Sequence, residues 1–398
     1  MPLPSPFHPR TAALCTSLFW KEWAGFHAVR SFDTSHDREY FALRHGCGLI
    51  DVSPLYKCDV RGADAAAFLA RVMVRDVTKL KIGRVAYTCW CDDEGKVIDD
   101  GTVTRLDKEW FRVTAAEPLW FWLEELKQGF RVQIEDMSEQ IAVLSLQGPN
   151  ARALIQNLTS ESIGGLGYFR ARQLQFAGQD VVLSRTGYTG DLGFELWMDA
   201  PKALPVWDAI VACGSDYGLL PTGLDAMDVA RIEAGYVMNG VDYQGAHHCL
   251  IEPRKTTPDE LGLGWMVRLD REPFIGQAAI EAERERGSRW CFRGVIMDWV
   301  DYEIVCQRYG LPPEVCSQAW RTSIPLYNLD GRQIGYATSG AWSPILKQNL
   351  ALATLAPDHG EEGGEVRMEV TVEHTRHQVK AKVVKLPFFD PPRKKAKL

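Results

Sequence analysis

Apolar positions recur at helical spacing around Asp37 to His45 and again from Asp64 to Val74, where Ala67, Phe68, Leu69, Val72 and Met73 share one face. Between these helices, Gly48 to Ser53 and Tyr56 to Val60 read as strand pieces divided by Pro54. Arg84 to Cys91 is rich in β-formers, Asp92 to Lys96 has hairpin-turn composition, and Val97 to Leu106 returns as a strand. Trp110 to Thr114 continues the strand pattern, and Leu119 to Lys127 reverts to a helix. Ile141 to Gln147 is a near-continuous apolar strand; Gly148-Pro149-Asn150 then leads into a helix with Asn150 as its candidate cap. The grammar repeats with a strand at Val181 to Arg185 and helices at Pro201 to Val211 and Leu224 to Ala234, the latter ended by Gly235. From Gly287 the texture changes to short strands and turns (Phe292 to Met297, Asn328 to Gly331, Ile334 to Gly340, Val366 to Val372), which predicts a small all-β domain. Asp301 to Trp320 interrupts it as an inserted loop or short helix.

One strand breaks the pattern. Asp99 and Asp100 are adjacent carboxylates in a run that otherwise reads as strand, and a buried carboxylate loses its hydration unless it finds a partner. Neighbouring side chains on a strand point to opposite faces, so the two acids cannot share one environment. A turn or cap would also tolerate them, and local pattern alone leaves both readings open.

Composition narrows the classes. The 398 residues, 46% hydrophobic and 24% charged, suit a soluble globular protein of two or three domains, and the formal net charge of -7 argues against a general nucleic-acid binder. Ten cysteines include no CxxC pair, and neither Cys89/Cys91 nor His247-His248-Cys249 has structural-zinc spacing, so no metal site is expected. Mostly buried, reduced thiols point to the cytoplasm. The proline-rich start is not a signal peptide, and no stretch approaches transmembrane length, so no membrane partner is expected. The basic end, Arg393 to Leu398, reads as a solvated tail. Among thirteen tryptophans, Trp20, Trp23 and Trp90 could cage a methylated cation, although core packing accounts for them more simply.

A second motif carries chemistry. Thr186-Gly187-Tyr188-Thr189-Gly190-Asp191-Leu192-Gly193-Phe194-Glu195 is glycine-rich, but it lacks both the lysine of a P-loop and the glycine order of a dinucleotide site. Glutamate is also the wrong charge for phosphate. Its two acceptor oxygens suit a flat ring with adjacent N–H donors, as a pterin has. A plain hairpin with a surface glutamate fits the motif equally well.

Taken in order, these blocks resemble the glycine-cleavage T-protein (aminomethyltransferase) family and the folate-dependent demethylases that share its fold. The matches are Asp51-Val52-Ser53, Asp76-Val77, Val97 to Leu106, Leu146 to Pro149, Thr186 to Glu195, Arg231 to Gly235, Phe274-Ile275-Gly276 and Ile334 to Pro344. The resemblance implies an α+β chain with a three-domain cloverleaf folate-binding fold and a small C-terminal β-barrel. Its domains would be a discontinuous folate-binding core at 1–54 and 137–285, an inserted α/β domain at 55–136, a barrel at 286–392 and a basic tail at 393–398. It also implies tetrahydrofolate as cofactor, Asp100 as the catalytic carboxylate, and cofactor contacts from Glu195, Tyr188, Tyr168, Phe169, Tyr87 and Arg231.

Three positions depart from the T-protein pattern: Met227 stands where the family has arginine, Pro54 where it has histidine, and Ala116 where it has asparagine. The segment around Asp100 is nearer the dimethylglycine and sarcosine branch, yet no flavin domain precedes it. The leading expectation is therefore a tetrahydrofolate-dependent demethylase taking a methyl or methylene group from a small methylated amine, ether or sulfonium donor. The alternatives are the glycine-cleavage aminomethyltransferase, which needs a lipoyl carrier protein as partner, and a non-catalytic folate-binding protein.

Overall fold

A computed structural model describes residues 1–397 and divides by contact into two compact units. The first comprises residues 1–90, 99–230 and the segment from Asp390; the second comprises Cys91–Ile98 and Arg231–Phe389.

The first unit holds a six-stranded sheet and all of a five-stranded sheet except Cys91, Val97 and Ile98. A six-stranded sheet runs in the order Ala171–Phe176, Gln179–Ser184, Gly193–Asp199, Ile141–Gln147, Cys47–Asp51 and Leu219–Pro221, antiparallel except for its last, parallel pair. Every residue of Ile141–Gln147 is buried, which explains its unbroken apolar sequence: both faces of this central strand are covered. Helices Ala151–Asn157 and Ala203–Gly214 contribute Leu154, Ile155, Val206, Trp207 and Ile210 to the same core as Leu144, Phe194 and Leu196. The Asn150 side chain does not cap its helix; its amide donates to the Tyr217 carbonyl at 3.0 Å, so a nonlocal partner wins over the local one.

The second sheet runs Val85–Cys91, Val97–Asp107, Trp110–Ala115, Tyr56–Arg61, Gln133–Asp136. Arg112 and Trp110 converge on Asp59, with guanidinium bonds of 2.7 and 3.0 Å and an indole bond of 2.9 Å, so this buried carboxylate is paired. Beside the acid pair, a Cβ on Gly101 would strike the Thr114 carbonyl, which explains a glycine mid-strand. A hairpin, Phe19–Trp23 with Phe26–Ser31, completes the unit's strands; the sequence pattern did not announce it.

In the second unit six strands close into a barrel in the order Cys291–Met297, Gln348–Leu355, Gln333–Ser343, Ile324–Tyr327, Glu365–Val372, Thr375–Val384. The interrupting segment contains a helix, Trp299–Gln307, whose Val305 and Cys306 join the barrel core and whose N-terminus is capped by the Asp298 carboxylate accepting from the Asp301 amide at 2.8 Å. All ten cysteines are free. Among the described residues no helix is long and apolar enough to cross a membrane.

One expectation needs correcting. The basic end is not a solvated tail: Lys394 is buried, and Arg393 pairs with Asp191. Trp90 and Trp20 pack in separate places, in keeping with the simpler core-packing reading. Trp90 is buried and stacks near Trp122, whereas Trp20 lies against His8 and His27.

Asp99 is the fully buried member of the acid pair, and its carboxylate accepts from the amides of Asp100 (2.9 Å), Ala116 (3.0 Å) and Glu117 (2.9 Å). It ties the acid-pair strand to the exit of the neighbouring strand. Asp99→Ala strands these donors and should cost about 1–3 kcal/mol in urea unfolding, whereas Asp100→Ala should cost clearly less. Equal losses from both substitutions would overturn the division of labour.

Candidate functional site

Strand alternation places Asp100, Thr102, Thr104 and Leu106 on the face opposite Asp99. Their neighbours across the ladder are Thr114 and Arg112, opposite Thr102 and Thr104 respectively. On the six-stranded sheet, Glu195 pairs with Ser184 and Trp197 with Val182. These two faces meet: Thr104, Leu106 and Arg112 on one side and Val182, Ser184 and Trp197 on the other line a single cavity of about water size. By strand alternation Asp100 shares the first of these faces and Glu195 the second.

The half-buried Asp100 carboxylate accepts a 2.7 Å hydrogen bond from the Tyr87 hydroxyl. Burial first, then the Asp100 charge and this hydrogen bond, hold the Tyr87 phenol far above its ordinary range, with a further push from Tyr188. Tyr87 is thus a protonated donor at working pH and Asp100 its acceptor. Tyr188, contributed by the glycine-rich loop, lies within electrostatic reach of that pair.

Glu195 is also half-buried. Its Oε2 accepts from the Thr186 hydroxyl at 2.7 Å, and the Ser184 hydroxyl lies 3.5 Å away. Burial raises its pKa above the usual carboxylate value despite these donors. The loop behind it is drawn tight by Gln147, whose fully buried amide donates to the Thr186 carbonyl (3.2 Å) and accepts from the Thr189 hydroxyl (2.9 Å). A Cβ on Gly187 or Gly193 would overlap that amide, so close approach explains two of the motif's glycines.

Tyr168 and Phe169 pack edge to face at 4.7 Å. The Phe169 backbone, at a positive φ of 57°, donates to the Arg185 carbonyl (3.1 Å) and accepts from the Val85 amide (3.0 Å). It therefore joins the start of the Tyr87 strand to the start of the glycine-rich loop. The sequence-derived residues Tyr87, Asp100, Tyr168, Phe169, Tyr188 and Glu195 all lie in the first unit. Arg231 lies in the second, fully buried, with its guanidinium 2.5 Å from Asp242. Asp242 also accepts from the hydroxyls of Thr338 and Ser339, so Arg231 is committed to a network inside that unit.

Sequence reasoning missed Gln147, Arg44 and Asp191. Gln147 stood in a recognised block but inside an apolar strand; a glutamine there is itself a signal that a buried amide has polar work to do. Arg44 donates to the Thr189 carbonyl at 2.9 Å and reaches Asp191 at 3.5 Å, a pairing 147 residues apart that local pattern cannot reveal.

Comparison with known proteins supplies the lineage. Residues 7–271 match the GCVT N-terminal domain and residues 307–390 the glycine cleavage T-protein C-terminal barrel domain. Proteins named aminomethyltransferase are similar along most of their length. That of Moorella thermoacetica is 35% identical, covering 89% of this chain and 90% of its own. That of Halothermothrix orenii is 33% identical, covering 89% and 92%, and that of Geobacillus kaustophilus 33%, covering 92% and 94%. In fold, the chain resembles the crystal structure of glycine cleavage system aminomethyltransferase T from Bartonella henselae, with a TM-score of 0.82 and 24% identity over 98% of this chain and 99% of that one. The chain belongs to the glycine cleavage T-protein family.

Proposed function

We propose that this protein is a tetrahydrofolate-dependent aminomethyltransferase, acting on an aminomethyl group carried by a lipoyl protein. The observation that carries this reading is the Asp100–Tyr87 pair with Tyr188 of the glycine-rich loop in electrostatic reach, the same loop leading into Glu195. Relatives named aminomethyltransferase along nine-tenths of the chain support it over the small-molecule demethylase that the sequence put first.

The donor set fits the cofactor. Glu195 offers carboxylate oxygens to the adjacent N–H groups of a pterin, and Tyr168, Phe169 and Tyr188 offer aromatic surface to its planar ring. Tetrahydrofolate supplies the nitrogens that accept the one-carbon unit. Asp100 supplies negative charge where the transferred carbon and its nitrogen become cationic, and it is positioned to take or return a proton there. The Tyr87 hydroxyl holds that carboxylate in one orientation, so little reorganisation is needed as charge develops. We read Arg231 as support for the second unit through Asp242 rather than as a direct ligand.

A second reading keeps a small methylated amine, ether or sulfonium as donor. It is favoured by Met227, buried on the helix Leu224–Glu233 where the family has arginine, together with Pro54 and Ala116 at two further altered positions.

Asp100→Asn should bind tetrahydrofolate within about threefold of the parent and lose at least about 100-fold in turnover, read as folate product by mass with an aminomethyl-lipoyl carrier as donor. Undiminished turnover would remove Asp100 from the chemistry. Product formed from methylated small molecules, and none from the lipoyl carrier, would select the second reading.

Affinity should also depend on pH. Glu195 must be ionised to accept two N–H donors, and its carboxyl keeps its proton to a higher pH than usual. Tetrahydrofolate binding should therefore weaken as pH falls through that raised pKa. Glu195→Gln should bind more weakly at neutral pH and lack this step. A step of equal size in Glu195→Gln would assign it elsewhere.

A further inference from the structure

We propose that the basic segment following Asp390 is a positioning element of the cofactor site, acting through Arg393 on Asp191. This rests on the reading of the glycine-rich loop as the tetrahydrofolate cradle. The segment lies past residue 390, the last one matched by the barrel family, and it folds onto the first unit.

The contact is a built one. Arg393 meets the Asp191 carboxylate with both prongs, Nε to Oδ1 at 2.6 Å and Nη2 to Oδ2 at 2.8 Å. The Asp191 side chain has no solvent exposure, so its charge must be met inside the protein. Arg44 reaches the same carboxylate only at 3.5 Å, leaving Arg393 as the closer partner. Paired forks of this kind fix orientation as well as charge. Asp191 in turn accepts from the Leu192 amide at 2.7 Å, which sets the backbone just before Gly193 and Glu195.

The same segment grips the other end of the loop. Arg185 directs Nη2 at the carbonyls of Arg393 (3.3 Å), Lys394 (3.0 Å) and Ala396 (2.8 Å), gathering oxygens from the short helix Pro392–Lys394 and just beyond it. Arg185 and Asp191 bracket Thr186 to Gly190, the stretch that presents Tyr188. One short segment therefore clamps both flanks of the loop. Its removal leaves Asp100 and Tyr87 in place and loosens what holds the ring.

The test compares full-length parent, Arg393→Ala and Arg393→Met, the last preserving the aliphatic stem should alanine impair folding. Tetrahydrofolate titrated by calorimetry should show Kd raised about fivefold in both variants, with KM for tetrahydrofolate rising in parallel and kcat within about twofold of the parent. Arg393→Lys should recover part of the affinity, and amide exchange in residues 187–192 should accelerate in the alanine and methionine variants. Unchanged Kd and unchanged exchange would overturn the clamp, as would a fall in kcat at constant KM. If the parent itself does not bind tetrahydrofolate, the functional reading fails, while the exchange comparison still decides whether Arg393 holds the loop.

Discussion

The site depends on the alternation of a single strand. Two consecutive carboxylates in extended backbone must face opposite ways, and here each direction has its own answer. Asp99 turns inward to three amide donors, which secures the exit of the neighbouring strand; Asp100 turns to the other face, half-buried, and accepts from the Tyr87 hydroxyl. A one-residue slip would exchange these two environments. Gly101 guards against crowding at that point, because any side chain there would meet the Thr114 carbonyl.

The Glu195 face is made by different means. Glu195 is carried on a strand, but the loop before it is irregular and is stabilised by a buried glutamine amide, two arginines and one aspartate. Each takes over hydrogen bonds or charge that a regular sheet would have satisfied in its ladder.

Much of this was legible in the sequence because the signals were local. Helix Asp37–His45, strand Ile141–Gln147 and the hairpin around Asp92 to Lys96 follow directly from periodicity and turn composition. Ordered motifs then pointed to Asp100 and to the Glu195 loop. What stayed hidden was nonlocal. The hairpin Phe19–Trp23 with Phe26–Ser31 turns at Ala24 and Gly25, both at positive φ, and an alanine there gives no warning. Asn150 has the composition of a cap but bonds to Tyr217, and the basic end looks solvated until Asp191, 202 residues away, is seen to meet it. The donor was the hardest inference. Met227, Pro54 and Ala116 argued locally for a demethylase, whereas similarity along the whole chain favours aminomethyl transfer.

The proposal places tetrahydrofolate against the first unit, with Glu195 at the pterin edge and Asp100 at the nitrogens that receive carbon. A crystal structure of the tetrahydrofolate complex tests this most directly. The account predicts the pterin N–H edge on the Glu195 carboxylate and a reactive nitrogen beside Asp100; a ring bound away from Glu195, or one turned so that its reactive nitrogens point away from Asp100, would contradict it.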